Sequence, residues 1–162
     1  MNVRPTERPT ADHYFAEICM ATALRSTCPK AHVGAVIVIN GYIASTGYNG
    51  SPIGEEHCLN SNCITDDTGK CLRVVHAEAN AIISVHTDIR IAQQSTLYCT
   101  HFPCIECCKL IINAGIKRVC YIHEYIDPRN VFFLQQHDEN YQFVLLMHGG
   151  IDIHHIQMEE HQ

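Results

Sequence analysis

The amino-acid sequence predicts an α/β fold of three layers, α/β/α, around a mixed five-stranded sheet. Three observations carry this. Short β-branched runs alternate with amphipathic stretches in the order β-β-α-β-α-β-α-β behind an N-terminal helix, a pattern that lays helices over both faces of one sheet. The first two runs are joined by Asn40-Gly41, a strong hairpin signal, so that pair folds back on itself. The chain has 162 residues, enough for one substantial core, and 1–162 is expected to form one domain.

The first helix is expected from Ala11 to about Arg25. Thr10 serves as N-cap, and Tyr14, Phe15, Ile18, Ala21 and Leu24 recur at helical spacing. HVGAVIVI (32–39) is a β-branched strand, and YIASTGY (42–48) pairs back across the turn. From Gly47 to Leu72 the chain is rich in Gly, Asn, Asp and Cys and has no apolar period. Loops of that length in compact domains are usually functional or pinned. A helix follows from about His76 to His86, then the strand STLYCT (95–100). The next helix runs from Cys104 to Ala114 and stops at Gly115, a good C′ residue. KRVCYI (117–122) is the fourth strand. YQFVLLMH (141–148) is a helix ended by Gly149-Gly150, and IDIHHI (151–156) is the fifth strand. The stretch 127–140 shows no clear pattern.

The composition narrows the function. Net charge is −6 with a pI near 6.0, and no run of Lys or Arg occurs, which argues against broad nucleic-acid binding. The first ten residues lack the apolar core of a signal peptide. No stretch approaches the roughly 20 apolar residues of a membrane span. The ten cysteines then fit a reducing, cytoplasmic protein in which thiols bind metal or pack as small hydrophobes.

His76-Ala77-Glu78 and Pro103-Cys104-Ile105-Glu106-Cys107 carry the chemistry. Cys104 and Cys107 stand three apart, so at a helix start they share a face and can pinch one ion. With His76 they make three protein ligands and leave the fourth tetrahedral position of a catalytic zinc for water. Glu78 lies beside that metal without needing to ligate it, which suits a carboxylate that carries protons. In a regular helix His76 and Glu78 would point about 200° apart. At a first turn the backbone is not yet regular and both can reach one cleft. HxE followed by PCxxC is the signature of zinc-dependent nucleobase deaminases.

Beyond this motif the chain resembles the deoxycytidylate (dCMP) deaminases, in particular their bacterial and bacteriophage branch. The matching stretches are 23–38, GYNGSPIG (47–54), HAEANAI (76–82), 98–119, Tyr121 and Tyr125. The resemblance implies a cytidine-deaminase-like fold and zinc-dependent hydrolysis of dCMP to dUMP and ammonia, supplying dUMP for thymidylate synthesis. It casts Glu78 as the proton shuttle to N3 and the leaving amine, and the Ala77 N–H as a partner of the carbonyl edge. Asn49 would contact the sugar hydroxyl and Tyr125 would close over the base. Arg25 is the nearest cation for the 5′-phosphate, with Lys30 and Lys109 as competitors. The resemblance further implies a hexamer regulated by dCTP and dTTP, with the regulator near Gly47, Tyr48, Asn49 and Gly50. A second, structural zinc would take Cys28, Cys58, Cys63 and Cys71, with His57 able to replace one of them. Cys19, Cys99, Cys108 and Cys120 are expected in the core. Alternatives are a deaminase of dCTP, cytidine or tRNA adenosine, and a non-catalytic zinc-stabilised binding protein.

Overall fold

The computed structural model describes residues 8–59, 63–67, 69, 71–91, 94–130, 135–137 and 139–158. Parts of the 47–72 loop and of the unassigned 127–140 stretch therefore lie outside the described residues. Helix α1 spans Ala11–Ala23, β1 Gly34–Ile39 and β2 Tyr42–Tyr48. Helix α2 spans Ala77–Ile83, β3 Ser95–His101, α3 Ile105–Ala114, β4 Arg118–His123, α4 Tyr141–His148 and β5 Asp152–His155.

The sheet is mixed, in the order β2-β1-β3-β4-β5. Strands β1 and β2 pair antiparallel across Asn40 (φ 51°) and Gly41 (φ 86°), the doubly positive φ of a tight hairpin turn. Strand β1 also runs antiparallel to β3, whereas β3, β4 and β5 are parallel and joined through helices. The alternation of side chains along the strands splits the core in two. Val36, Val38, Tyr98, Cys120 and Ile122 face α1 with Phe15, Ala16 and Cys19. Ala35, Ile37, Leu97, Cys99, Val119 and Tyr121 face the other way, with Ala77 and Ala81 of α2, Cys108 and Ile111 of α3 and Leu146 of α4. Cys19, Cys99, Cys108 and Cys120 are all buried here.

Helix α1 buries a different stripe from the one its large residues suggest. Phe15, Ala16, Cys19 and Ala23 are inside, while Tyr14 is 52% and Leu24 79% exposed. The small side chains face inward because β1 approaches closely: a Cβ on Gly34 would stand 2.2 Å from the Cys19 carbonyl. Helix α2 ends at Ile83 rather than His86. Ser84 forms its C-cap and Ile89, beyond a run of poor helix formers, drops into the core.

Two features seat α2. A Cβ on Gly47 of β2 would meet Ala77 O at 2.2 Å and Ala81 N at 2.4 Å, so glycine lets the helix lie on the strand. Gly50 and Val75 exchange both backbone hydrogen bonds (3.1 and 2.8 Å), pinning the chain immediately before His76. No helix among the described residues is long and apolar enough to cross a membrane.

Candidate active site

His76 and Cys104 occupy equivalent places, each the N-cap of its helix with extended backbone (ψ 153° and 167°) and neither making a side-chain cap bond. Freed from capping, both side chains turn to the same point. His76 Nδ1 lies 3.3 Å from Cys104 Sγ and 3.4 Å from Cys107 Sγ, and the three donor atoms fall within 4.8 Å of one another. A tetrahedral zinc with ordinary bond lengths would hold sulfur and nitrogen about 3.6 Å apart, so the donor set fits that ion with little movement.

Glu78, one residue into α2, is 4% exposed. Burial pushes its carboxyl above the ordinary carboxylate range, against the opposing pull of its own backbone N–H and His76. A carboxyl tuned this way can both take and return a proton. Hydrogen bonding from Cys107 draws the Cys104 thiol below its ordinary value, next to the imidazole.

These groups open into a cleft of about 720 Å³. Asn49, Ala77 and Tyr125 line it. Arg25 does not: it stays on the exposed turn that closes α1, its N–H bonded to Thr22 O. Lys109 is also elsewhere, paired with Glu106 on the outer side of α3. Among the described residues the Lys and Arg side chains at the cleft are Lys30, which donates to Gly69 O (2.8 Å), and Arg129. Arg129 holds Asp127 through Nε and Nη2 (2.9 and 2.6 Å) and Glu106 through Nη1 (2.9 Å).

Asn49 is more committed than a free substrate ligand. Its Oδ1 accepts from Ser26 Oγ (2.6 Å) and the Val33 N–H (2.9 Å), and Nδ2 donates to Ala31 O (2.8 Å). Gly47 is sealed under α2, and Tyr48 O accepts from Asn80 Nδ2 (2.8 Å). Sequence reasoning passed over Asp127, Arg129 and His101, all of which line the cleft. Asp127-Pro128 was a legible turn signal, and the Asp127 carboxylate does accept from the Arg129 N–H (3.0 Å).

Cys58, Cys63 and Cys71 form a second cluster, with sulfurs within 4.8 Å of one another. Burial raises the Cys71 thiol, but N–H groups of Arg73 and Val74 outweigh it and bring the thiol below its ordinary value. Cys28 lies outside this group, though near enough to act on the Cys63 thiol. Its backbone is turned by a bond to Ser26 Oγ (3.2 Å), and Cys28 lines the cleft. His57 is exposed and is not part of the cluster.

Residues 9–123 match the family model described as the cytidine and deoxycytidylate deaminase zinc-binding region. The chain belongs to that family. It is 44% identical over 119 residues to the ComE operon protein 2 of Bacillus subtilis, covering 74% of this chain but 62% of that protein. To the deoxycytidylate deaminase of Mycobacterium phage D29 it is 40% identical over 129 residues, covering 72% of this chain and 98% of that one. The dCMP deaminase of cyanophage S-TIM5, solved in complex with dCMP and dUMP, superposes with a TM-score of 0.71 at 28% identity, over 93% of this chain and 99% of that one. The zinc-binding region thus coincides with the segment that carries His76, Cys104 and Cys107.

Proposed function

We propose that this family member is a dCMP deaminase that converts dCMP and water to dUMP and ammonia. The observation that carries the reading is a buried carboxyl, Glu78, beside a three-donor zinc site in a cleft that Lys30 and Arg129 also line. A non-catalytic zinc site would have no use for a proton carrier held there. His76, Cys104 and Cys107 would hold a zinc, which when bound would lower the pKa of a water toward neutrality and so supply the nucleophile for C4. Glu78 would take a proton from the attacking water and deliver it to N3. It then carries the second proton to the amine at C4, which leaves as ammonia. The Ala77 N–H, which has no partner within its helix, faces the pyrimidine carbonyl edge.

Asn49 keeps one amide N–H for the sugar hydroxyl after its three internal bonds, and Tyr125 stands at the cleft wall to cover the base. Lys30 and Arg129, rather than Arg25, meet the 5′-phosphate. Cys58, Cys63 and Cys71 would hold a second zinc, with Cys28, near enough to act on the Cys63 thiol, as the fourth ligand. Regulation by dCTP and dTTP in a hexamer, implied by the family resemblance, would reach the active site through segment 47–50, whose backbone is bonded to the start of α2.

Steady-state ammonia release across dCMP, dCTP, deoxycytidine and cytidine tests the assignment. The expected result is a preference for dCMP, because a phosphate-binding cation left without its anion penalises the nucleoside. Equal kcat/KM for deoxycytidine and dCMP would remove the monophosphate assignment, and a higher value for dCTP would replace it with a triphosphate one.

A further inference from the structure

Gln142 is 0% exposed, and a polar group so placed costs free energy unless its hydrogen bonds are made. Every bond its side chain makes runs to main chain that builds the cleft. Nε2 donates to Pro103 O at 2.6 Å and to Tyr125 O at 3.3 Å, and Oε1 accepts from the Asp127 N–H at 2.8 Å. Pro103 immediately precedes the ligand Cys104. On the other side of Cys104, the Ile105 N–H donates to Asp127 Oδ2 at 3.2 Å. The peptide groups flanking Cys104 are therefore both held, one by Gln142 directly and one by the aspartate whose own N–H Gln142 receives.

Helix α4 in turn is fixed against the Asp127 turn. Asn140 Oδ1 accepts from the Gln142 N–H (2.9 Å) and from Asn130 Nδ2 (2.7 Å), and the Tyr141 N–H donates to Asn130 Oδ1 (2.9 Å). Packing alone does not call for an amide at this site, since Leu146, one turn along, fills the interior with an apolar side chain at the same exposure. We infer that Gln142 is a positioning residue for the deaminase site, acting through Pro103 and Asp127 to orient Cys104 and through the Tyr125 carbonyl to place the facing wall. This rests on the dCMP deaminase reading of the cleft. Cys104 makes no side-chain cap bond, so the direction of its thiol follows its backbone, and its backbone follows these clamps.

Gln142→Met keeps length and volume while deleting all three bonds. In the zinc-loaded full chain, kcat on dCMP is expected to fall about tenfold or more, and zinc affinity, read by competition with a chromophoric chelator, to weaken about tenfold. Leu146→Ala is the control: it opens a cavity in the same helix and lowers Tm, yet leaves kcat, KM and zinc affinity at wild-type values. Should Gln142→Met not fold, Gln142→Asn, which keeps the amide but shortens its reach, takes its place in the same comparison. Wild-type kinetics and zinc affinity in the Gln142 variant would overturn the inference, as would equal losses in Leu146→Ala, which would make the effect one of general stability. A wild-type protein with no activity on dCMP would overturn the substrate reading instead, and the zinc-affinity comparison would still decide the role of Gln142.

Discussion

Gly47→Ala adds one methyl group between β2 and α2, and its consequence can be worked from distances. The new Cβ would stand 2.2 Å from Ala77 O, 2.4 Å from Ala81 N and 3.0 Å from Ala81 Cα, where real Cβ contacts essentially never fall below 3.0 Å. All three atoms are helix backbone, so no rotamer change relieves the overlap and α2 must retreat by about 1 Å. Gly47 is not among the positive-φ glycines, so steric displacement is the whole of the perturbation. His76 and Glu78 leave from the N-terminal end of that helix, while Cys104 and Cys107 belong to α3 and stay. A misplacement of about 1 Å between catalytic groups costs about a hundredfold in rate, or about 2.7 kcal/mol of barrier. Overpacking should lower stability by about 1–3 kcal/mol as well. The assay is kcat/KM on dCMP at saturating zinc, with zinc content and Tm measured alongside. Gly54→Ala serves for comparison: its φ of +89° strains an alanine, but nothing lies within 4 Å, so stability drops while kinetics hold. A Gly47→Ala enzyme within threefold of wild-type kcat/KM would refute the argument that helix seating sets the site.

Glu78→Gln preserves shape and donor set while removing the base, so zinc content should stay near wild type and turnover should fall about a thousandfold. Retention of more than about a tenth of the rate would contradict the shuttle role. Wild-type protein should carry two zinc ions per chain by metal analysis, and joint replacement of Cys63 and Cys71 by Ser should remove one and lower Tm without abolishing deamination; a single ion in wild type would exclude the second site. Burial alone would raise the Asp127 carboxyl, but the hydrogen bonds from Arg129 prevail and bring it to about 2. A folded-state value below the ordinary one of 3.8 means stability present above about pH 4 and lost as pH falls through about 2. Thermal melts across that range should show this acid loss in wild type and a weaker dependence in Asp127→Asn; parallel curves would remove the ion pair from the account.

Much of the fold and the centre of the site were legible because their signals are local. The Asn40-Gly41 turn, the Gly115 stop and the Thr10 cap are each set by the conformational preferences of one or two residues, and each stands where those preferences put it. The spacing of His76, Glu78, Cys104 and Cys107 works in the same way, because two helix starts suffice to aim the four side chains. The inward stripe of α1 is not legible in the sequence because Ala16, Cys19 and Ala23 give little hydrophobic signal by themselves. What selects them is the close approach of Gly34.

The residues that only tertiary structure revealed are those whose partners lie far along the chain. Asn49 is held from 18 and 23 positions away by Ala31 and Ser26. Asp127 reaches back 22 positions to Ile105, and Gln142 reaches 39 to Pro103. Lys30 displaces Arg25 at the cleft because the chain leaves the α1 turn before crossing to the site. The sequence by itself determined the order of elements and the meeting of His76, Glu78, Cys104 and Cys107 at one point, since these follow from residue type and spacing within a turn. The tertiary structure decided which cations meet the cleft, which polar groups are already spent on the fold, and what holds Cys104 in place. Those depend on distances between segments that come together only when the sheet orders itself as β2-β1-β3-β4-β5.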